Sequence, residues 1–298
     1  MRVFVTGASG WVGSAVTRQL TARGHQVVGL ARSDKSAGIV EAAGGTALRG
    51  ELTDIDVLAG GAKAADGVIH CGFIHDFSNF GHSVEVDKRA IEALGAALAG
   101  SNRPLLVTAG TAGLAPGRPS TEEDAPDPGV YEGPARLSEQ VGLALADRGV
   151  RAGVVRLPPS VHGPGDHGFI ATLVGIARQK GISGYVGEGE NVWPAVYRED
   201  AASVYVLAIE QGVPHPRFHA VGDEGVPFRE IAEVIGRKLG LPVSSVPPDK
   251  AGEHFGWIGN FAQLNVPASA RLTAQWLGWQ PKGPGLIEDL EQGSYFAQ

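Results

Sequence analysis

Apolar and polar positions follow two alternating periods over the first 160 residues. Val3, Phe4 and Val5 form a short continuous apolar run, as a strand buried on both faces does. Val12, Val16 and Leu20 recur at four-residue spacing, which is one face of a helix; Gly24 stops it, and residues 26–30 make a second apolar run. The alternation continues with a helix over 36–43, a strand over 46–49, a helix over 55–59 and a strand over 67–70. A long helix over 84–98 carries Val86, Ala90 and Leu94 on one face. A strand over 104–108, a helix over 134–147 opened by Pro134, and a strand over 150–157 follow. This order predicts an α/β fold: a Rossmann-type, doubly wound parallel sheet with helices on both faces and ligand at the carboxyl ends of the strands.

Beyond residue 157 the character changes. Pro158, Pro159, Gly163, Pro164, Gly165 and Gly168 crowd one stretch, which predicts a crossing into a small C-terminal substrate lobe over 158–298. A helix over 169–179 and an amphipathic helix over 228–239 belong to it, while a strand near 217–221 is expected to return to the first sheet. Residues 113–133 are rich in proline and acidic side chains and read either as a lid or as a solvated connection.

Composition removes several classes of function. A net charge of −7 without a basic run argues against nucleic acid or an anionic membrane surface as partner. No apolar run approaches the roughly 20 residues that span a bilayer. The single cysteine, Cys71, excludes an internal disulfide or a cysteine metal cluster, and the nine histidines lack ligand spacing, so no metal is expected. The chain enters its first strand at once, which leaves no room for a leader and predicts a cytoplasmic protein.

The chemistry begins at Thr6-Gly7-Ala8-Ser9-Gly10-Trp11-Val12-Gly13, between the first strand and the first helix. There a helix N-terminus offers free N–H groups and a positive dipole end to a pyrophosphate. Gly7 permits the tight turn, Gly10 lets phosphate approach the backbone, and Gly13 lets helix pack on strand. The first 157 residues are therefore expected to bind a dinucleotide, the alternative being a tight structural turn. The second strand ends in Arg32 and Ser33, without the carboxylate that would bind the ribose hydroxyls of NAD. A guanidinium grips a phosphate instead, so NADP(H) is favoured over NAD(H), with Asp34 the residue that would restore NAD binding.

The spacing T-G-x-x-G-x-x-G, followed in order by RGELTD (49–54), DGVIHCG (66–72), VVRLPPSVHGPGDHG (154–168) and LGWQP (277–281), resembles the short-chain dehydrogenase/reductase superfamily. The likeness is to its extended, NAD-dependent epimerase/dehydratase-like branch, in an atypical form, and it covers nearly the whole chain. It implies that Glu51 and Leu52 hold the adenine and that Pro158 and Val161 close over the nicotinamide. It implies a catalytic hydroxyl after the fifth strand, then a Tyr and a Lys four residues on, which lowers the Tyr pKa. Here Thr111 stands for the hydroxyl, or is a turn residue, and Tyr131 takes the Tyr place by default. Ala135 occupies the Lys place; aligning Arg136 there instead puts Glu132 at the Tyr place, so Tyr-x-x-x-Lys is absent either way. Arg136 is a candidate cation for the cofactor ribose, with Glu139 its salt-bridge partner by spacing, or an exposed helix charge. Asp87 stands where the family has an asparagine in its proton relay. Tyr197 and His75, the latter paired with Asp76, are alternative proton donors.

For the substrate, Phe73 and His75 follow the fourth strand, and Trp193 and Tyr197 supply aromatic walls, with Arg198 or Asp200 locking the lobes together. The pocket suits a small, rather apolar carbonyl compound. The leading expectation is an NADP(H)-dependent reductase of a carbonyl or related unsaturated group. The alternatives are an NAD-retaining sugar-nucleotide epimerase or dehydratase and a non-catalytic NADP sensor. The resemblance also implies a homodimer paired through the helices 84–98 and 134–147.

Overall fold

The computed structural model describes residues 1–115, 117–126 and 136–296. The chain begins β1 (Arg2–Thr6), α1 (Trp11–Ala22), β2 (Gln26–Ala31), α2 (Asp34–Ala42), β3 (Thr46–Arg49), α3 (Ile55–Lys63), β4 (Gly67–His70), α4 (Phe80–Leu98) and β5 (Pro104–Gly110). It continues α5 (Ser138–Ala144), β6 (Arg151–Leu157), β7 (Ser160–His162), α6 (Phe169–Lys180), β8 (Ser183–Val186), β9 (Val192–Tyr197), α7 (Arg198–Glu210), β10 (Arg217–His219), β11 (Asp223–Pro227) and α8 (Phe228–Leu239). It closes with β12 (Val243–Val246), α9 (Ala251–Phe255), α10 (Gly259–Ala262), α11 (Arg271–Leu277) and α12 (Leu286–Gln292).

Seven parallel strands form the main sheet in the order β10-β6-β5-β4-β1-β2-β3. Val3, Phe4 and Val5 are fully buried, because helices cover both faces of a parallel sheet and its central strands need no polar side. The strand order reverses between β1 and β4. By the general rule for such sheets the ligand crevice lies there, above the carboxyl ends, beside the glycine turn after β1 and Cys71 and Gly72 after β4. One core includes Val16, Leu20 and Ile69; a second, on the opposite side, includes Phe4, Leu58 and Leu94.

The residues after 157 divide between two cores. β10 joins the main sheet beside β6, and α7 and α11 pack on the same core as α1, through Ala201, Tyr205 and Leu277. The rest forms a separate core around α6, α8 and α12, backed by the β7-β9-β11 sheet and the β8-β12 pair. In α8, Phe228, Ile231, Ala232 and Ile235 are buried, the one-sided spacing of an amphipathic helix.

Boundaries differ from the sequence expectation where end effects decide. α4 begins at Phe80, behind a short 3-10 turn capped by Asp76. α5 is brief, and the chain tightens into a 3-10 turn over Leu145–Arg148 that stops at Gly149, whose φ is +72°. Among the described residues no helix is long and apolar enough to cross a membrane.

Candidate functional site

The glycine turn is shaped by backbone contact. Gly7 has φ +65°, and a Cβ there would lie 2.7 Å from the Cys71 carbonyl carbon and the Gly72 nitrogen. A Cβ on Gly13 would lie 2.1 Å from the Gly7 oxygen, so α1 could not approach β1 with a larger residue. Gly10 caps α1 in extended conformation without a side-chain bond, and no acid stands in the first turn. The helix N–H groups and dipole thus remain for an anion, so the turn fits the pyrophosphate of a dinucleotide. Ser9, Trp11 and Val12 are half-buried around it, and Thr6 is fully buried beneath.

Trp11 ties this turn to the rest of the molecule. Its indole Nε1 donates to the Val161 carbonyl at 2.7 Å, and the Arg198 guanidinium lies over its ring at 4.2 Å. Arg198 also donates to the Trp11 carbonyl and to the Ser14 hydroxyl, at 2.7 and 2.6 Å. Asp200 accepts from the backbone of Lys282 and Gly283, at 3.0 and 2.7 Å. Both residues named from sequence as lobe locks therefore make bonds between distant segments. Pro158 is buried at the end of β6.

At the end of β2, Arg32 is exposed and has no hydrogen bond or ion pair among the described residues. Ser33 is the N-cap of α2, its hydroxyl accepting from the Ser36 amide at 3.2 Å in a capping box. Asp34 pairs with Arg49, which lies opposite Ala31 on the neighbouring strand. Glu51 accepts from the Thr53 hydroxyl at 3.0 Å, and Leu52 packs over Gly72, beside the glycine turn.

A buried polar chain runs from β1 to Arg136. Gly72 N–H donates to the Thr6 hydroxyl at 3.3 Å, leaving that hydroxyl's proton for His70 Nδ1 at 2.7 Å. His70 Nε2 bonds to Asp87 at 3.0 Å, so the ring is held between Thr6 and Asp87. Ser138 donates to the other Asp87 oxygen and accepts from Arg136 Nε–H at 2.6 Å. Burial raises the Asp87 pKa, but His70, Arg136 and Ser138 together outweigh it and hold it below the ordinary carboxylate value. Arg136 Nη2 lies 3.9 Å from Asp87, and the guanidinium sits 4.1 Å over the Phe73 ring. Beside the chain, Thr108 donates to the His70 carbonyl at 2.8 Å and accepts from Tyr205 at 2.9 Å.

Several expectations change here. Glu139 does not pair with Arg136: it forms ion pairs with the buried Arg156 and with Arg217, at 2.5 and 2.7 Å. Arg136 precedes the first turn of α5, so helical spacing does not bring the two together. Asp76 accepts from the Ser78 amide and hydroxyl, at 3.0 and 2.5 Å, which commits it to the turn before α4 instead of to His75. His75 lies edge-on to Phe73 at 5.3 Å, and its pKa falls through burial first and the charge of Arg136 second.

Trp193 is not a wall of the crevice. It is fully buried, bonded to the Phe261 carbonyl at 3.1 Å and packed on Phe169 and Phe228, because β9 turns that side of the strand into the lobe core. Tyr197 is half-buried against His162, and Gly283 passes over its ring. Thr111 is 1 % exposed, its amide bonded to the Leu157 carbonyl at 2.9 Å. Its Oγ1 is buried without a hydrogen-bond partner among the described residues. Tyr131, with Glu132 and Ala135, lies outside the described residues. Sequence reasoning missed His70, Ser138 and Tyr205; the signal for His70 was a polar residue closing an otherwise apolar strand. Among the described residues no group of three His, Cys, Asp or Glu could hold a metal ion.

Comparison with known proteins identifies the family and the fold. The model of the NAD dependent epimerase/dehydratase family matches residues 3–222. An uncharacterized protein of Schizosaccharomyces pombe is 47 % identical over 298 residues, covering 99 % of this chain and all of that one. A 2-alkyl-3-oxoalkanoate reductase of Stenotrophomonas maltophilia is 28 % identical over 260 residues, covering 81 % of this chain and 77 % of its own. The crystal structure of the dTDP-glucose 4,6-dehydratase DesIV of Streptomyces venezuelae, with NAD and TYD bound, superposes with a TM-score of 0.79. That likeness covers 99 % of this chain and 96 % of the other at 18 % identity, and so concerns the fold. The chain belongs to the NAD dependent epimerase/dehydratase family and is an NAD(P)-dependent oxidoreductase of the extended short-chain dehydrogenase/reductase type, atypical in lacking Tyr-x-x-x-Lys.

Proposed function

We propose that the protein is an NADP(H)-dependent reductase of a small carbonyl or related unsaturated compound. The observation that carries the cofactor preference is Arg32, which has no hydrogen bond or ion pair among the described residues at the end of β2, while Asp34 pairs with Arg49. A guanidinium there favours a 2′-phosphate. The bound dinucleotide supplies the hydride.

The protein's own groups supply the rest. Thr6, Gly7, Ser9, Gly10, Trp11, Val12 and Gly13 hold the pyrophosphate, Arg32 and Ser33 the 2′-phosphate, and Glu51 and Leu52 the adenine. Pro158 and Val161 close over the nicotinamide. Thr111 Oγ1, buried without a partner among the described residues, donates to the substrate oxygen and polarises the carbonyl. Arg136 adds fixed positive charge where negative charge develops, and as an arginine it does not relay the proton. Tyr131 or a water delivers that proton to the oxygen as hydride adds to carbon. Phe73, His75 and Tyr197 border the substrate. The reductase relative is named for a 3-oxoalkanoate, a ketone, which agrees with this reaction class.

A homodimer paired through α4 and α5 belongs to the same reading. The exposed large apolar side chains among the described residues, Met1, Ile39, Ile55, Val243 and Trp257, lie off both helices, so such pairing rests on small and polar side chains.

The test is a fluorescence titration of protein freed of carried-over nucleotide with NADPH and with NADH, followed by NADPH oxidation across a carbonyl panel. Preference for NADPH that disappears in Arg32→Ala, with turnover of at least one carbonyl, is the expected result. Retained NAD in the purified protein would move the epimerase reading ahead. NADPH binding without any turnover would favour a sensor.

A further inference from the structure

Among the described residues Arg136 is engaged on three sides and has an unpartnered Nη2. Phe73 covers one face of its guanidinium, Ser138 takes its Nε–H, and Asp87 partly balances its charge at 3.9 Å. Asp87 does not take the remaining donors: Nη2 stands 3.9 Å from its nearer oxygen, beyond hydrogen-bond reach. Nη2 is buried, yet it has no hydrogen-bond partner among the described residues. A buried cationic donor without an acceptor is a costly feature of a resting protein and is retained where a ligand completes it.

The position of this open edge tells which ligand. Arg136 lies against Phe73, which follows β4 two residues after Cys71, and Cys71 touches the glycine turn, so the guanidinium lies on the carboxyl-end side of the sheet. With a face stacked on a ring and Nε occupied, the free Nη edge lies in the guanidinium plane. That edge matches a planar carboxylate, which accepts two parallel N–H bonds. The chain from Thr6 to Ser138 holds the guanidinium in this orientation and links it to the strand that carries the glycine turn.

We propose that Arg136 anchors a carboxylate on the substrate, so that the compound reduced is an oxo acid, with His70, Asp87 and Ser138 as positioning residues for Arg136. The proposal rests on the reductase reading above and narrows its substrate class. Its occupant is the substrate and not the cofactor ribose.

The test uses the complex with NADP⁺, which cannot reduce a ketone, so that binding is measured without turnover. It is titrated calorimetrically with 2-oxo and 3-oxo acids of four to ten carbons and with their methyl esters. The expected result is that some acids bind and their esters bind about 100-fold more weakly, the loss of a bidentate charged contact. In Arg136→Met the acids fall to the level of the esters while NADP⁺ affinity stays within about 2-fold of wild type. Arg136→Lys recovers only part of the difference, because an ammonium cannot form the two parallel bonds. Ser138→Ala, which leaves the charge in place but frees its orientation, weakens the acids and not the esters.

Acids and esters binding equally, or no acid binding to an NADP⁺-loaded protein, overturns the carboxylate anchor and leaves the reductase reading standing. Weaker NADP⁺ binding in Arg136→Met without a change in the acid-to-ester ratio also overturns it and assigns Arg136 to the cofactor. Failure of the wild type to bind NADP⁺ or NADPH overturns both.

Discussion

The guanidinium of Arg198 lies 4.2 Å over the indole of Trp11 and donates through Nε to the Trp11 carbonyl at 2.7 Å. Residues 187 positions apart in sequence thereby hold the start of α1 against the start of α7. The glycine turn is braced from outside, while the buried chain through Thr6 braces it from beneath.

Replacing Trp11 with Ala removes the ring contact and the bond to Val161 together. A loss of about 2–3 kcal/mol of stability is expected from a half-buried tryptophan with a cation partner. Weaker NADPH binding should accompany it, because the turn loses its brace. Chemical denaturation and cofactor titration of the same variant check both.

Gly13→Ala places a methyl group 2.1 Å from a backbone oxygen that cannot rotate away, so cofactor binding should be lost and the melting temperature lowered. Gly38→Ala, on an α2 face with nothing within 4 Å, is the matched control. It should stabilise by up to about 1 kcal/mol through helix propensity. Equal effects of the two variants would show that the turn does not depend on close contact.

Asp34→Asn frees Arg49, whose pairing is exposed and therefore weak, to turn toward the cofactor. NADPH affinity should rise about 3-fold and NADH affinity should not, as expected for one added screened charge contact. Comparing the two dissociation constants at low and at 0.5 M salt measures it; the gain should shrink with salt.

His219 is buried, with Arg156 donating to its Nε2 at 3.1 Å and its Nδ1–H donating to the Ser269 carbonyl at 2.8 Å. Burial first and the Arg156 charge second lower its pKa from 6.5 to about 3. The folded protein therefore keeps this ring neutral where the unfolded chain takes up a proton. The stability it contributes is fully present above pH 6.5 and is lost as the pH falls toward 3. Unfolding free energy should drop by about 1 kcal/mol between pH 7 and pH 5.5, from a maximum slope of about 1.4 kcal/mol per pH unit. A flat profile across that window would contradict the burial of this ring.

Cys71 is held as a thiol, its pKa pushed up to about 12 by burial. A disulfide reagent at pH 8 should modify it much more slowly in the folded protein than in denaturant. Equal rates in the two states would show that the fold does not hold it as the thiol.

What the sequence by itself determined is what neighbouring residues decide between themselves. The Val3–Val5 run, the spacing of Gly7, Gly10 and Gly13, and the one-sided apolar face of α8 depend on the covalent geometry of one strand, one turn and one helix. Their order along the chain then selects the parallel sheet, since strands joined through helices have little other way to pack. The tertiary structure alone decided the partners. Asp87 meets Ser138 across 51 positions, Glu139 turns from its neighbour Arg136 to Arg156 and Arg217, and Trp193 goes into a core instead of a crevice. Each outcome is set by which element packs on which, and a buried polar group accepts whatever donor that packing delivers, however far away in sequence.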